Sequence, residues 1–500
     1  MKLKKTNKIM GGGKLTALLL SVTCVAATAA SDLTLAGAYP VTVAPGSTTT
    51  ISDKITGTGP LVVLGGGTLA LSNPDNDFTG GIIVSNGILQ AEAEGCFGEN
   101  TISLEGIADI RQVCFNVAKA SFPNDITLKD KTSSSSYPAI VANTSVTLTG
   151  NLTLDPSMPS ASSAYFYITP GVTSADSGVT VTVDGQICAA AGMVWYRGYG
   201  SLLLNGKVET SRFYAGHAWA MNGILALKNP ENDIKALNLY AADVSCRDVN
   251  VLRGCAVRFC FDKAWVANGH GLLLLNGHDQ EFASLSSSDN SLGATEYACA
   301  IQTSSSGPSV IVTVNGRGLT SETYAYAQIR IMGPIHLVVN SIMPSGVIFS
   351  QGFKRRQSSS DGTIEVRNGR LRCIDGATFP NVTNILLGAG TMLDFATATN
   401  VFERLECMRI EGDGVVRCKK DCRAPFFNRV ADVYMASDAR FYFGSGVTNT
   451  IDHLVVGGRE LRRGLYTAQT LPQMTGSSGD FAGGVLEVLR NHRGIAMSFY

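Results

Sequence analysis

Acidic residues beside Asn and Pro are the first candidates for chemistry in this chain. Four carboxylates lie in two similar Asn-Pro turns and two lie further on: Asp75, Asp77, Glu231, Asp233, Asp413 and Asp421. Glycoside hydrolysis needs two carboxylates at a set separation, and a polysaccharide lyase needs acids around calcium beside a basic residue. Asp and Asn next to Pro also form turns through their own side-chain hydrogen bonds. We expect turn geometry here, with a secreted polysaccharide lyase or glycosidase as the alternative.

Aromatic residues crowd one stretch between positions 195 and 219. Trp and Tyr offer large amphipathic rings, so this cluster is a candidate sugar-stacking face. The other interpretation is that Trp195 fills the interior of the fold or packs under a loop. The candidate ligand-binding residues are Trp195, Tyr196, Tyr199, Tyr214 and Trp219.

Histidine and serine patterns give no catalytic motif. None of the six histidines forms H-E-x-x-H, and no serine lies in a G-x-S-x-G elbow. His270 and His278 flank an apolar run and could form a ligand pair, but solvated corner positions explain them more simply. We therefore predict no cofactor, no metal and no catalytic residue.

The amino terminus carries an export signal. Five lysines precede an apolar segment, Leu15 to Ala30, that ends in Ala27-Thr28-Ala29. This arrangement is typical of a cleaved signal peptide, and the apolar run is too short to span a membrane. We predict a signal peptide over residues 1–30, a secreted or cell-surface protein, and no transmembrane segment in the mature chain.

Cysteine usage fits an exported chain. One of the twelve cysteines, Cys24, lies in the leader, so eleven remain and at least one is unpaired or intermolecular. Secretion permits disulfides, and the pairs Cys255/Cys260 and Cys418/Cys422 are close in sequence. Cys373 and Cys418 lie in strand-like runs, where a small buried thiol is the default.

Charge argues against one class of partner. The chain has 40 basic and 40 acidic residues and only 16% charged residues in total. Nucleic-acid affinity depends on a basic surface that displaces counterions. We therefore expect no nucleic-acid partner.

A long-range repeat constrains the fold. Gly67-Thr-Leu-Ala-Leu-Ser-Asn-Pro-Asp-Asn-Asp-Phe78 returns as Gly223-Ile-Leu-Ala-Leu-Lys-Asn-Pro-Glu-Asn-Asp-Ile234, with eight of twelve positions identical at an offset of 156 residues. Each copy is a short alternating apolar run followed by a turn. Repeats of this kind indicate a stacked architecture in which each unit buries its edge on the next.

Short alternating runs of Val, Ile, Leu and Thr closed by Gly, Asn or Asp continue along the chain, which is the strand signal. Four runs end in Asn-Gly or Asp-Gly, a pair that favours hairpins but also supplies positive-φ residues at solenoid corners. A coiled parallel solenoid and a string of β-sandwiches both fit; the direct repeat favours the solenoid. The four pairs are Asp184-Gly185, Asn205-Gly206, Asn276-Gly277 and Asn315-Gly316.

The segment from Gly65 to Gln90 resembles the autotransporter-associated β-strand repeat. Its pattern, G-x-G-T-L-x-L, then N-x-(Y/F)-x-G-G, then V-x-x-G-x-L, is matched once one extra residue is allowed before Asn76. The resemblance implies a secreted, all-β, right-handed parallel β-helix of the passenger type with loop insertions. Because repeat-like sequence continues to about residue 489, we expect no translocator barrel.

These observations give one leading expectation and two alternatives. We expect a β-helix over residues 31–490, as one body or in two or three lobes, and a tail at 491–500. Its expected function is structural or adhesive and non-catalytic, with glycans or host surface components as partners. The alternatives are the carbohydrate-active enzyme on the same scaffold and a tandem β-sandwich carbohydrate-binding protein.

Overall fold

A computed structural model gives the fold. The predicted signal peptide and tail lie outside the described residues, as do Trp219, His270, Asp421 and Cys422. The residues that the structure describes are 32–106, 110–130, 138–158, 164–216, 223–240, 242–260, 271–287, 299–316, 326–327, 330–341, 346–350, 362–374, 379, 381–395, 402–418, 431–444, 446, 448–475 and 483–490.

Short strands pair in parallel with strands one turn later in the chain, which builds a solenoid with three faces. Face 1 is the longest stack of strands. It comprises Tyr39–Thr42, Leu61–Leu64, Ile82–Val84, Ile102–Leu104, Ile126–Leu128, Leu152–Leu154, the first parts of Ile187–Tyr196 and Val208–Ala215, Asp233–Ile234, the first part of Gln280–Ser287, Val310–Val314, Ile335–Asn340, Thr363–Asn368, Asn384–Leu387, Cys407–Ile410, Asp432–Met435 and His453–Val456.

Face 2 follows face 1 within each turn. It contains Thr48–Ile51, Thr68–Leu71, Gly87–Ala91, Arg111–Phe115, Ile140–Ala142, Tyr165–Pro170, the second parts of Ile187–Tyr196 and Val208–Ala215, Ala236–Leu239, Cys255–Phe259 and the second part of Gln280–Ser287. A separate six-stranded parallel stack serves the later turns: Tyr326–Ala327, Val347–Ser350, Arg370–Ile374, Met392–Phe395, Val415–Cys418 and Arg440–Phe443.

Face 3 closes the middle turns with nine parallel strands: Ala120–Phe122, Val146–Leu148, Thr180–Val183, Ser201–Leu204, Ile224–Leu227, Asp243–Cys246, Gly271–Leu274, Cys299–Gln302 and Arg330–Met332. Leu33–Leu35 pairs with Ile55–Gly57 in the first turns. Antiparallel pairing occurs near residues 453–488, where Arg459–Glu460 pairs with His453–Val456 and Gly464–Tyr466 with Val485–Val488, which is also parallel to Thr448–Ile451. A 3₁₀ turn lies at Ser174–Asp176.

The expectation of an all-β parallel β-helix is confirmed. The pairings that form the three faces are parallel, whereas a β-sandwich is built from antiparallel sheets. Alternation places every second residue inside, as in Leu61–Leu64, where Leu61 and Val63 are buried and the residues after them are half-buried. These inward side chains form one continuous apolar core from Leu35 to Val488, and none of the described residues forms a helix long and apolar enough to cross a bilayer.

Both copies of the opening repeat form the same corner. Thr68–Leu71 and Ile224–Leu227 are strands, and the first Asn of each turn accepts the backbone N–H two residues later, Asn73 from Asp75 at 2.9 Å and Asn229 from Glu231 at 2.8 Å. The expected turn geometry is therefore present in both copies.

The second Asn of each copy is buried and joins three turns. The Asn76 side-chain oxygen accepts the Ile55 N–H at 2.7 Å, and its amide donates to the Cys96 carbonyl at 2.7 Å. Asn232 does the same with Val208 N–H and the Val251 carbonyl, at 2.9 and 3.2 Å. Buried backbone groups need such partners, so these amides close corners that strand pairing leaves open.

Glycine is required at both positions of the Gly80-Gly81 pair, for a different reason at each. A Cβ on Gly80 would lie 2.1 Å from the backbone carbon of Gly59 in the previous turn, while Gly81 has φ of +85°. At Gly80 any side chain would clash with the backbone of the previous turn. At Gly81 the positive φ disfavours most residues other than glycine.

The Asn-Gly and Asp-Gly corners differ from expectation in part. Asn276, Gly277 and Gly316 do have positive φ. Gly185 and Gly206 do not; a Cβ on either would lie 2.0 Å from the carbonyl oxygen of the stacked glycine one turn earlier, Gly150 and Gly185 respectively. Close approach of successive turns, not dihedral preference, requires glycine there.

Several cysteines act as interior packing residues. The nine described cysteines are free thiols, so the suggested Cys255/Cys260 disulfide is absent. Cys255 points into the solenoid, whereas Cys260 lies outside beside Tyr240, to which it is hydrogen-bonded. The buried-thiol interpretation of Cys373 and Cys418 is confirmed. They alternate in register with two buried aromatic residues in one interior column: Cys373, Phe395, Cys418 and Phe443.

Replacing Asn76 by Ala tests the corner amide. The change leaves one buried backbone N–H and one buried carbonyl without a hydrogen-bond partner. We therefore expect the free energy of unfolding to fall by about 2 kcal/mol or more. Urea unfolding followed by circular dichroism measures it. Asp75→Ala is the matched control in the same turn, because Asp75 is exposed; equal losses in both variants would contradict the role of the amide.

Gly206→Ala tests the glycine column. The added methyl meets backbone, which cannot move aside as a side-chain end can, so we expect a loss of about 2 kcal/mol or more in unfolding free energy. Gly178→Ala is the control: a Cβ at that position would have no atom within 4 Å, and the φ of Gly178 is not positive. A Gly206→Ala protein as stable as the Gly178→Ala protein would show that the turns are not in contact there.

Candidate functional site

Trp195 lies at the centre of a stack of rings on the outside of face 2. Tyr167, Trp195 and Tyr214 occupy the same register position on three successive strands. The Trp195 ring centroid is 5.3 Å from that of Tyr167 and 4.9 Å from that of Tyr214, with interplanar angles of 22° and 29°. The spacing of parallel strands, about 4.8 Å, suits ring stacking, so strand pairing itself assembles the stack.

Two further tyrosines extend this stack. The Tyr165 ring lies 5.5 Å from Tyr167 and 6.2 Å from Tyr214, and the Tyr240 ring lies 5.8 Å from Tyr214. Offset aromatic pairs contribute about 0.5–1.5 kcal/mol each beyond area burial. We call the five residues Tyr165, Tyr167, Trp195, Tyr214 and Tyr240 the aromatic ladder.

Only some of the ligand-binding residues predicted from the sequence belong to the aromatic ladder. Trp195 and Tyr214 belong to it. Tyr196, the next residue on the strand, points inward, is 1% exposed and donates its hydroxyl to the Gly200 carbonyl. Tyr199 is half-buried in the following turn, and Trp219 lies outside the described residues. Strand alternation explains why adjacent aromatic residues separate.

Three ladder members were missed by sequence reasoning: Tyr165, Tyr167 and Tyr240. The alternation in Tyr165-Phe166-Tyr167 marks two outward tyrosines around an inward phenylalanine. Their match to Trp195 depends on turn length, however, and the separations along the ladder differ: 28 residues from Tyr167 to Trp195 but 19 from Trp195 to Tyr214. No fixed period in the sequence could have brought these rings together.

Hydrogen bonds at the edge of the ladder hold Trp195 and Tyr214 in place. The Trp195 indole N–H donates to the Gly216 carbonyl at 2.8 Å. The exposed Arg212 guanidinium lies 5.9 Å from the Tyr214 ring centroid and donates to the Tyr214 hydroxyl at 3.0 Å. That hydrogen bond raises the pKa of Arg212, so its charge is retained at any physiological pH.

Two hydroxyls at one end of the ladder have no hydrogen-bond partner among the described residues. Tyr167 and Thr169 are outward residues of the same strand and are 2% and 8% exposed, and neither hydroxyl bonds to another described group. Burial raises the pKa of Tyr167 to about 12, so this hydroxyl stays protonated. Most buried polar side-chain atoms are hydrogen-bonded, which makes these two unusual.

Three of the six acidic candidates have structural partners, and Asp75 and Glu231 lie exposed in the two turns. Asp77 pairs with Lys54 at 2.6 Å, Asp233 with Lys235 at 2.5 Å, and Asp413 accepts the Gly390 N–H at 2.6 Å. Within the described ranges, no three His, Cys, Asp or Glu residues are grouped to hold a metal ion. His278 lies in the turn after Gly271–Leu274.

Two tyrosine-to-phenylalanine substitutions compare a hydroxyl that forms a hydrogen bond with one that forms none to a described group. Tyr196→Phe removes the hydrogen bond to Gly200, so we expect the free energy of unfolding to fall by about 1 kcal/mol. Tyr167→Phe removes a buried hydroxyl that bonds to no described group, so we expect no loss, or a gain of about 1 kcal/mol. Urea titrations of both variants test this; a clear loss in Tyr167→Phe would show that its hydroxyl is satisfied.

Comparison with known proteins agrees with this geometry. Residues 61–91 match the model of the passenger-associated transport repeat. The matched segment runs from the face 1 strand Leu61–Leu64 through the Asn76 corner to the face 2 strand Gly87–Ala91. No curated protein and no solved structure matches the chain significantly. This repeat, set in a parallel solenoid, supports a β-helix of the autotransporter passenger type.

Proposed function

We propose that this chain is a non-catalytic structural and adhesive protein, exported to the cell surface or beyond. Its stacked turns form the scaffold, and the aromatic ladder is the surface that contacts glycans or other host and cell-surface components. The observation that carries the proposal is the ladder itself, a row of polar-rimmed aromatic rings on the outside of a passenger-type β-helix.

The scaffold suits display of a contact surface. Each turn is bonded to the next by parallel strands and by corner amides, so outward side chains are held at fixed spacing. Rigid presentation lowers the entropy that binding must offset. The passenger-associated repeat also suggests an exported or surface protein.

The ladder favours contact through its rim. Both faces of the Trp195 ring are covered by Tyr167 and Tyr214. What Trp195, Tyr165 and Tyr240 present, as half-buried residues, is therefore ring edges and hydroxyls. Tyr hydroxyls both donate and accept hydrogen bonds, which suits a polyhydroxylated partner.

Glycan-array binding of the purified mature chain tests the adhesive role. We expect retention on a subset of glycans and at least a tenfold loss of affinity in Trp195→Ala, because removing the central ring collapses the stack. Tyr434→Ala is the matched control, an outward tyrosine on face 1 with Arg409 over its ring at 5.1 Å. Turnover of any polysaccharide, or equal losses in both variants, would contradict the proposal.

We propose that the leader, residues 1–30, directs export of the chain. Fractionation of cells that express the full chain and a chain lacking residues 2–30 tests it. We expect the full chain outside the cytoplasm, shortened by about the length of the leader, and the truncated chain inside. Equal distribution of the two would contradict export through this segment.

A further inference from the structure

The described outward positions around the ladder carry one sign of charge. Face 2 strands Tyr165–Pro170, Ile187–Tyr196, Val208–Ala215, Ala236–Leu239 and Cys255–Phe259 place inward residues such as Phe166, Val194, Phe213, Leu237 and Val257 in the core. Between them, and just after the strand ends, lie the outward positions. These are Tyr165, Tyr167, Thr169, Met193, Trp195, Arg197, Arg212, Tyr214, Ala236, Asn238, Tyr240, Ala256, Arg258 and Cys260.

Those positions include three arginines and no acidic residue. Arg212 and Arg258 lie on two of four successive strands, and Arg197 directly follows a third; the four strands span roughly 14 Å along the solenoid at about 4.8 Å per strand. Each acts on the ladder. Burial raises the pKa values of Tyr167 and Tyr240, and the charges of Arg197 and Arg258 oppose that rise, while Arg212 bonds Tyr214. The chain as a whole is neutral, so the grouping of three arginines is a feature of these described positions.

Arg212 is placed to hold a carboxylate. It is exposed, and its bond to the Tyr214 hydroxyl and its position over the Tyr214 ring fix the direction of the guanidinium. A guanidinium fork matches a carboxylate with two parallel hydrogen bonds. Because Tyr214 accepts from Arg212, its own O–H is free in direction to donate to the same ligand.

The polar groups of the ladder favour a sugar over an apolar or peptide partner. Tyr165 and Tyr240 are half-buried beside the exposed Arg212, and tyrosine hydroxyls both donate and accept hydrogen bonds. A ligand that is rich in hydroxyls and repeats a negative charge along its length complements both features.

We propose that the aromatic ladder binds a polyuronate, an acidic polysaccharide with a carboxylate on each sugar. Arg212 holds a carboxylate, and the tyrosine hydroxyls of the rim contact sugar hydroxyls. This inference rests on the glycan-contact role proposed above and names the class of glycan and the residue that selects it.

Two matched probes test it: a hexagalacturonate and its fully methyl-esterified form, which keeps the sugars and removes the charge. Isothermal titration with the purified mature chain should show binding of the acid and at least tenfold weaker binding of the ester. In Arg212→Gln the affinity for the acid should fall about tenfold, the effect of losing charge-assisted hydrogen bonds. The Arg409→Gln control, which removes the equivalent ring-bound arginine from face 1, should bind as the unchanged chain does.

The outcomes separate this inference from the function it rests on. Equal affinity for acid and ester, or equal loss in both arginine variants, overturns selection of a carboxylate while leaving ladder-dependent glycan contact in place. Absence of binding to both probes overturns the polyuronate assignment, and the glycan array with Trp195→Ala then decides the broader role. Arg212 is exposed, so its replacement should leave the circular dichroism spectrum unchanged.

Discussion

Hydrogen bonding between successive turns is the constraint on which this structure depends. Parallel strand pairs fix the faces, and buried amides fix the corners between them: Asn76 bonds one turn back to Ile55 and one turn forward to Cys96, and Asn232 repeats the arrangement 156 residues later. A corner without such a side chain would bury backbone groups unpaired, at a cost of about 1–3 kcal/mol each. The corner asparagine therefore contributes more to the stability of the corner than the acidic residues beside it.

The same stacking determines what the surface can present. Once turns are in register, equivalent outward residues lie one strand spacing apart, and identical or similar side chains form rows. Asn315, Asn340 and Asn368 form a side-chain amide row on face 1, Cys and Phe alternate in an interior row, and Tyr167, Trp195 and Tyr214 form an exterior one. Rows are the natural unit of recognition on such a scaffold, which favours extended, repeating partners.

Much of the fold could be predicted from the sequence because its signals are local. The Leu-x-Leu runs mark strands, the Asn-Pro turns mark corners, and the buried thiols at Cys373 and Cys418 follow from their place in apolar runs. The candidate site was predictable only in part. Trp195 and Tyr214 were found, but Tyr196 beside them faces the interior, and Tyr165, Tyr167 and Tyr240 come from turns whose lengths follow no common period.

By itself, the sequence determined the class of architecture, the repeated corner and the passenger-type resemblance, because each is carried by short segments whose pattern is complete within the segment. The tertiary structure decided which side chains share a row. It also decided why Gly185 and Gly206 are glycine: turns approach so closely there that a Cβ would meet backbone 2.0 Å away. Both are matters of register between distant segments, and register depends on how many residues each turn contains before the chain returns to the same face.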